Sequence, residues 1–129
     1  MHILLIEPDA VLARTYRSAL QTEGHSVAHA TSAQHAIIAA DEQTPDVVIL
    51  ELQLASHNGI AFLQEFQSYS DWADVPVVFH TYVPARTNGD AHKIMRHEYG
   101  VEYWLYKPQT TLAQLLATVG SYDKPEKVE

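Results

Sequence analysis

The 129-residue sequence contains no cysteine. A disulfide scaffold, a thiolate metal site and a cysteine nucleophile are therefore all excluded. Positive charge is also scarce: 8 Lys and Arg stand against 16 Asp and Glu, a net charge of −8. That balance argues against a general nucleic-acid-binding surface. No apolar run approaches bilayer length, so no membrane span is expected. No repeat, linker or low-complexity block interrupts the chain. Met1-His2 leads straight into the apolar run Ile3-Leu4-Leu5-Ile6, which leaves no room for a signal peptide, and a cytoplasmic protein is expected. What remains is ordinary for a globular chain, with 47% apolar and 19% charged residues and a length that suits one domain rather than two.

The stretch that organises the chain is Asp46-Val47-Val48-Ile49-Leu50-Glu51-Leu52-Gln53-Leu54. Pro45 and Asp46 signal a turn, four apolar residues follow, and a carboxylate closes the run. Such a run reads as a strand buried on both faces. Ile3–Ile6 reads the same way and ends in Glu7-Pro8-Asp9, with Asp9 placed to cap a helix from Ala10 to about Thr22. In that helix Leu12, Tyr16 and Leu20 form one apolar stripe, and Gly24 follows its end. A strand Ser26–Ala30 and a helix from Ala33 to about Gln43 precede the central strand. Asn58-Gly59 opens a helix from Ile60 to about Ser68, with Ile60, Leu63 and Phe66 facing inward. A polar loop, Tyr69–Asp74, carries Trp72. Val75–Phe79 reads as the fourth strand, with Pro76 tolerable near its start. A long connection, His80–Gly89, leads to a helix from about Asp90 to Tyr99, closed by Gly100. Val101–Tyr106 is the fifth strand and Thr110 to about Ser121 the last helix, in which Leu112, Leu115, Leu116 and Val119 are expected to pack on the sheet. Residues 1–122 make the domain, and Asp123–Glu129 a charged tail.

Five strands alternating with five helices predict an α/β domain with a parallel sheet. Right-handed crossovers with helices on both faces make it a doubly wound five-stranded parallel sheet, most simply in the flavodoxin-like order 2-1-3-4-5. The carboxyl ends of strands one, three, four and five then converge, and their polar residues are Glu7, Glu51, Thr81 and Lys107. Carboxylates with one lysine and one hydroxyl suit a hard cation and a phosphoryl group. Taken singly, each residue has a plainer explanation: Glu7 and Asp9 as helix N-terminal acids, Thr81 as a strand residue, Lys107 as a surface charge. Their meeting at one sheet edge favours a site, or the remnant of one. The histidines are read as scattered surface residues rather than ligands, His25, His29 and His35 around strand two and its helix, His92 and His97 off the i,i+4 spacing. His80, beside Thr81, could titrate near neutrality.

Ile3-Leu4-Leu5-Ile6-Glu7, Val47–Leu54, Asn58-Gly59, Val75–Thr81 and Trp104-Leu105-Tyr106-Lys107-Pro108, in this order and spacing, resemble the receiver (response-regulator) domains of two-component signalling over about residues 2–122. The resemblance implies a phosphoacceptor after strand three, a magnesium pocket from two acids after strand one, a switch hydroxyl at Thr81, the site lysine at Lys107, a switch aromatic at Trp104 and a cis Lys107–Pro108 bond. It also implies partners, a histidine kinase or a downstream effector, met through the face of helix four, strand five and helix five.

Two departures bear on this. The acceptor position holds Glu51 where the family has aspartate, and Pro8 stands where the second acid, the direct metal ligand, is expected. Asp9 lies one residue further on. Magnesium demands near-ideal octahedral geometry, and in-line transfer fails on small misplacements. The expectation is a pseudo-receiver that is not phosphorylated in the usual way, is not an enzyme, holds no resident cofactor and acts through protein–protein contact. The alternative is a magnesium-dependent acceptor using Glu51 or Asp9; any metal would then fall to Glu7 and Glu51. A more distant alternative is an FMN-binding flavodoxin-like module, opposed by the acids that occupy the place of a phosphate cradle after strand one. The last helix carries no charged residue, which argues against a dimer built on cross-subunit salt bridges there.

Overall fold

The computed structural model describes residues 1–55, 58–85 and 90–123, with backbone alone for 90–92. The elements are β1 (His2–Ile6), α1 (Ala10–Thr22), β2 (Ser26–Ala30), α2 (Ala33–Glu42), β3 (Val47–Leu50), α3 (Gly59–Ser68), β4 (Val77–Thr81), α4 (Asp90–Tyr99), β5 (Trp104–Tyr106) and α5 (Leu112–Gly120). The strands form one five-stranded sheet in the order β2-β1-β3-β4-β5, every pair parallel. The expected topology is the observed one.

Side-chain alternation divides the sheet between two cores. Leu4, Ile6, Val48, Leu50 and Phe79 point to the side covered by Ala36, Phe62, Leu63 and Phe66 of α2 and α3. Ile3, Leu5, Val47, Ile49 and Val78 point to the other side, under Ala13 and Leu20 of α1 and Leu115 and Val119 of α5. Because both faces are covered, Ile3–Ile6 of β1 and all of β3 are apolar at every position. Helices α1, α2, α3 and α5 start where short polar side chains bond orphan amides. Asp9 accepts from Val11 and Leu12, Ser32 from His35, Asn58 from Ala61, and Thr111 and Gln114 form a reciprocal capping box.

Several expected boundaries move, each for a local reason. β4 begins at Val77 and runs through His80 and Thr81. Pro76 has no N–H for the ladder but gives its carbonyl to the Val48 amide at 2.9 Å. β5 is shorter than expected: Val101 is buried, but its N–H turns back to Met95 O at 3.0 Å and closes α4. Lys107–Gln109 form a 3-10 turn, so α5 starts at Leu112 and not Thr110. The Lys107–Pro108 bond, expected cis, is trans, since no cis peptide occurs among the described residues. With its φ fixed by the ring, Pro108 fits this single turn, which closes through Thr110 N–H to Lys107 O at 3.2 Å.

Side-chain directions differ in places as well. In α3 it is Gly59, Phe62, Leu63 and Phe66 that are buried, with Ile60 only partly so. Leu112, in the first turn of α5, is 40% exposed rather than packed on the sheet. Trp72, expected in a polar loop, is buried and stacks on Phe66 with ring centroids 5.0 Å apart. Residues 86–89 of the long connection, the side chain of His92 and residues 124–129 of the tail lie outside the described residues. Among the described residues no helix is long and apolar enough to cross a membrane.

Candidate functional site

The register of the sheet decides which side chains meet. Ile6 pairs with Leu50, Leu50 with Phe79, and Thr81 with Tyr106, so the residues just past β1, β3 and β5 reach one edge together with the end of β4. Glu7, Glu51, Thr81 and Lys107 are all buried there, at 2%, 2%, 0% and 8% exposure. Ionisable groups are rarely buried so fully unless they are paired, and these are paired with one another.

Lys107 Nζ lies 2.8 Å from Glu51 Oε1 and 2.5 Å from Glu7 Oε1, an ammonium held between two carboxyl groups. Glu51 Oε1 also accepts from the Tyr82 amide at 3.2 Å, while Oε2 accepts from the Thr81 hydroxyl and from the Gln53 amide at 3.1 Å. The second oxygen of Glu7 accepts from the Asp9 amide at 3.1 Å. Each carboxylate oxygen in the cluster therefore has a protein donor. Burial pushes the Glu51 carboxyl up, but hydrogen bonds from Lys107, Thr81 and Gln53 more than reverse it, leaving the group below its ordinary range. Burial likewise lowers Lys107, and its bonds to Glu51 and Glu7 override that, so its pKa is raised.

Around this cluster lie Tyr82, His80 and Trp104, of which sequence reasoning singles out the last two and not the first. The Tyr82 ring covers Lys107, with Nζ 4.7 Å from the ring centroid. His80 faces the α1–α5 side of the sheet and meets Tyr16 edge-on at 4.9 Å. Burial, then the nearby Lys107 charge, push His80 down to about 4, with Glu51 opposing. The expectation that His80 titrates near neutrality is thus overturned by desolvation. Nothing in the sequence marks Tyr82 beyond its place next to Thr81. Trp104 is partly buried against Phe79, with ring centroids 5.2 Å apart at 80°, and its indole N–H bonds Val83 O.

Asp9 stands apart from the cluster. It is exposed, and its Oδ1 is committed to the amides of Val11 and Leu12 at 2.9 and 3.0 Å. Pro8 contributes no carboxylate. Glu7 and Glu51 both turn toward Lys107, whose ammonium lies between them where a cation shared by the pair would sit. In this arrangement Lys107 takes up an oxygen of each carboxylate, and position 8 offers no ligand oxygen from its side chain. Among the described residues there is also no group of three His, Asp or Glu suited to a metal.

The model of the response regulator receiver domain matches residues 3–119. The chain belongs to that family. The receiver is 29% identical over 107 residues to the KDP operon transcriptional regulatory protein KdpE of Escherichia coli (strain K12), covering 83% of this chain and 44% of KdpE. It is 32% identical over 120 residues to the transcriptional regulatory protein KdpE of Mycobacterium tuberculosis, covering 91% of this chain and 50% of that protein. The chain thus spans half or less of the curated relatives it matches. Among solved structures, the chemotaxis response regulator CheY4 of Vibrio cholerae superposes with a TM-score of 0.79 over 94% of this receiver and 97% of CheY4, at 21% identity, a likeness of fold.

Proposed function

We propose that this chain is a pseudo-receiver: a two-component signalling domain that is not phosphorylated in the usual way and acts through protein–protein contact. The observation that carries this reading is the Glu51 carboxylate itself. It bonds Lys107 and Thr81, the two residues that the family resemblance assigns to the phosphoryl group, and takes the Tyr82 amide as well. One methylene longer than aspartate, Glu51 reaches these donors without modification. The imitation is partial, because a carboxylate brings one charge and two oxygens where a phosphoryl group brings about −1.5 to −2 and three.

On this reading the domain holds one signalling conformation constitutively and does no chemistry of its own. It binds no resident magnesium, since Pro8 removes one ligand and Lys107 competes for the others. Its partners are a histidine kinase or a downstream effector. The contact face is that of α4, β5 and α5, where Trp104 is joined through Val83 to the corner above Glu51.

The test is intact-mass analysis with magnesium and acetyl phosphate, run on the wild type, on Glu51→Asp and on Glu51→Asp with Pro8→Asp. The wild type is expected to stay unmodified and the double variant to gain one phosphoryl mass. A phosphoryl gain on the wild type would instead make the protein a magnesium-assisted switch with a glutamate or Asp9 acceptor.

A further inference from the structure

Lys107 is a cation at 8% exposure, yet it stands at the edge of the sheet and not in its core. Among the described residues, the Tyr82 side chain lies over it. The Tyr82 ring centroid lies 4.7 Å from Nζ, and Tyr82 as a residue is 50% exposed. A ring in this position attracts the ammonium through its negative face. The backbone of the same residue is tied down from beneath, because the Tyr82 amide donates to Glu51 Oε1, the oxygen that also holds Lys107. On its other side the next residue is fixed twice, Val83 N–H to Thr81 Oγ1 at 3.1 Å and Val83 O to the Trp104 indole at 2.9 Å. Tyr82 is therefore a half-exposed side chain on an anchored backbone.

We propose that Tyr82 is a lid over the carboxylate–lysine pocket, its ring closing on Lys107 and its amide latched to Glu51, so that entry of water and small solutes is governed at this side chain. The proposal deepens the pseudo-receiver reading by adding a steric barrier to the altered acceptor. Its geometry does not depend on whether any phosphoryl transfer occurs. Removing the ring opens a path to Nζ from solvent; removing only the phenol oxygen leaves the ring face in place.

The experiment uses the otherwise unaltered protein and no phosphodonor, so its outcome is separate from that of the mass analysis. Hydrogen exchange of the Lys107 ammonium is followed by NMR on 15N-lysine-labelled protein, with the exposed Lys93 as the fast-exchanging internal reference. In the wild type the Lys107 signal is expected to persist, protected against exchange. Tyr82→Ala and Tyr82→Ser are expected to speed its exchange at least tenfold, and Tyr82→Phe to leave it within twofold of the wild type. Both small replacements are made at a half-exposed position, and their thermal unfolding is recorded alongside to show that the fold is intact. A wild-type signal already lost to fast exchange, or one equally protected in the Ala and Ser variants, would overturn the proposal. So would a Phe variant as open as Ala.

Discussion

The indole Nε1–H of Trp104 donates to the backbone carbonyl of Val83 at 2.9 Å. Thr81-Tyr82-Val83 is thereby held from two sides, by Glu51 at the pocket and by Trp104 on β5. Trp104→Phe keeps an aromatic ring against Phe79 while deleting the donor and trimming the bicyclic indole to a phenyl ring. It is expected to lower stability in urea unfolding by roughly 0.5–1.5 kcal/mol, the net worth of one hydrogen bond, and to speed amide exchange at Tyr82 and Val83. Trp104→Ala loses the ring contact as well and should cost clearly more. If the Trp104→Phe variant unfolds at the wild-type midpoint with unchanged exchange at those amides, the indole bond does not tie the corner down.

How far this was legible beforehand follows from the kind of signal each residue carries. The strand order and the meeting of Glu7, Glu51, Thr81 and Lys107 are readable because the apolar runs of strands one, three, four and five each lead into polar residues, and parallel topology brings those ends together. Tyr82 was not readable, since a tyrosine in a connection carries no sign of whether its ring faces solvent or folds back on a lysine 25 positions later. Trp72 was read as a loop residue because its neighbours are polar, while the stacking partner that buries it, Phe66, lies on α3. The expectation of a cis Lys107–Pro108 bond rests on family resemblance alone, and a trans proline serves the 3-10 turn here.

Lys107 is the only basic residue in the cluster described, and it faces both Glu7 and Glu51 from a buried position. Lys107→Met removes the ammonium and leaves two carboxyl groups together out of water. A loss of about 3–5 kcal/mol at neutral pH is expected, the range for breaking a buried ion pair by removing one partner. Because the stranded carboxyls can take up protons, the deficit should shrink as pH is lowered toward 5. Adding Glu51→Gln to Lys107→Met should cost much less than the sum of the single changes, as residues in one network couple. Additive losses in denaturant titrations would mean that the ion pair contributes nothing specific.

Gly59 is needed for close approach and not for an unusual backbone angle. A Cβ built there would stand 2.7 Å from Leu52 Cα and 3.0 Å from Glu51 O, and the Gly59 amide already bonds Leu52 O at 2.7 Å. Alanine at this position must therefore push the start of α3 away from the end of β3, the segment that carries Glu51. Although alanine is the better helix former by roughly 0.5–1 kcal/mol, Gly59→Ala is expected to destabilise by about 1–3 kcal/mol through overpacking. Thermal unfolding checks the direction, and a stabilised variant would show that α3 can shift freely.

His80 sets an acid limit on the fold that can be isolated from the other groups. Its pKa is pushed down to about 4 in the folded protein from an ordinary 6.5, first by burial and then by Lys107. Between these values the unfolded chain binds a proton that the folded protein does not, so stability falls as pH is lowered through that window and is unaffected by this group above it. A gap of about 2.5 pH units at 1.36 kcal/mol per unit amounts to something on the order of 3 kcal/mol. Glu51, whose pKa is lowered, contributes a further loss only as pH falls below 4.5. His80→Phe keeps a ring beside Tyr16 and removes the titration. Urea unfolding of both proteins from pH 7.5 to 4 should show the wild type losing about 3 kcal/mol more than the variant, almost all of it below pH 6.5. Parallel curves would mean that the imidazole reaches solvent in the folded state and that its burial against Tyr16 does not govern acid stability.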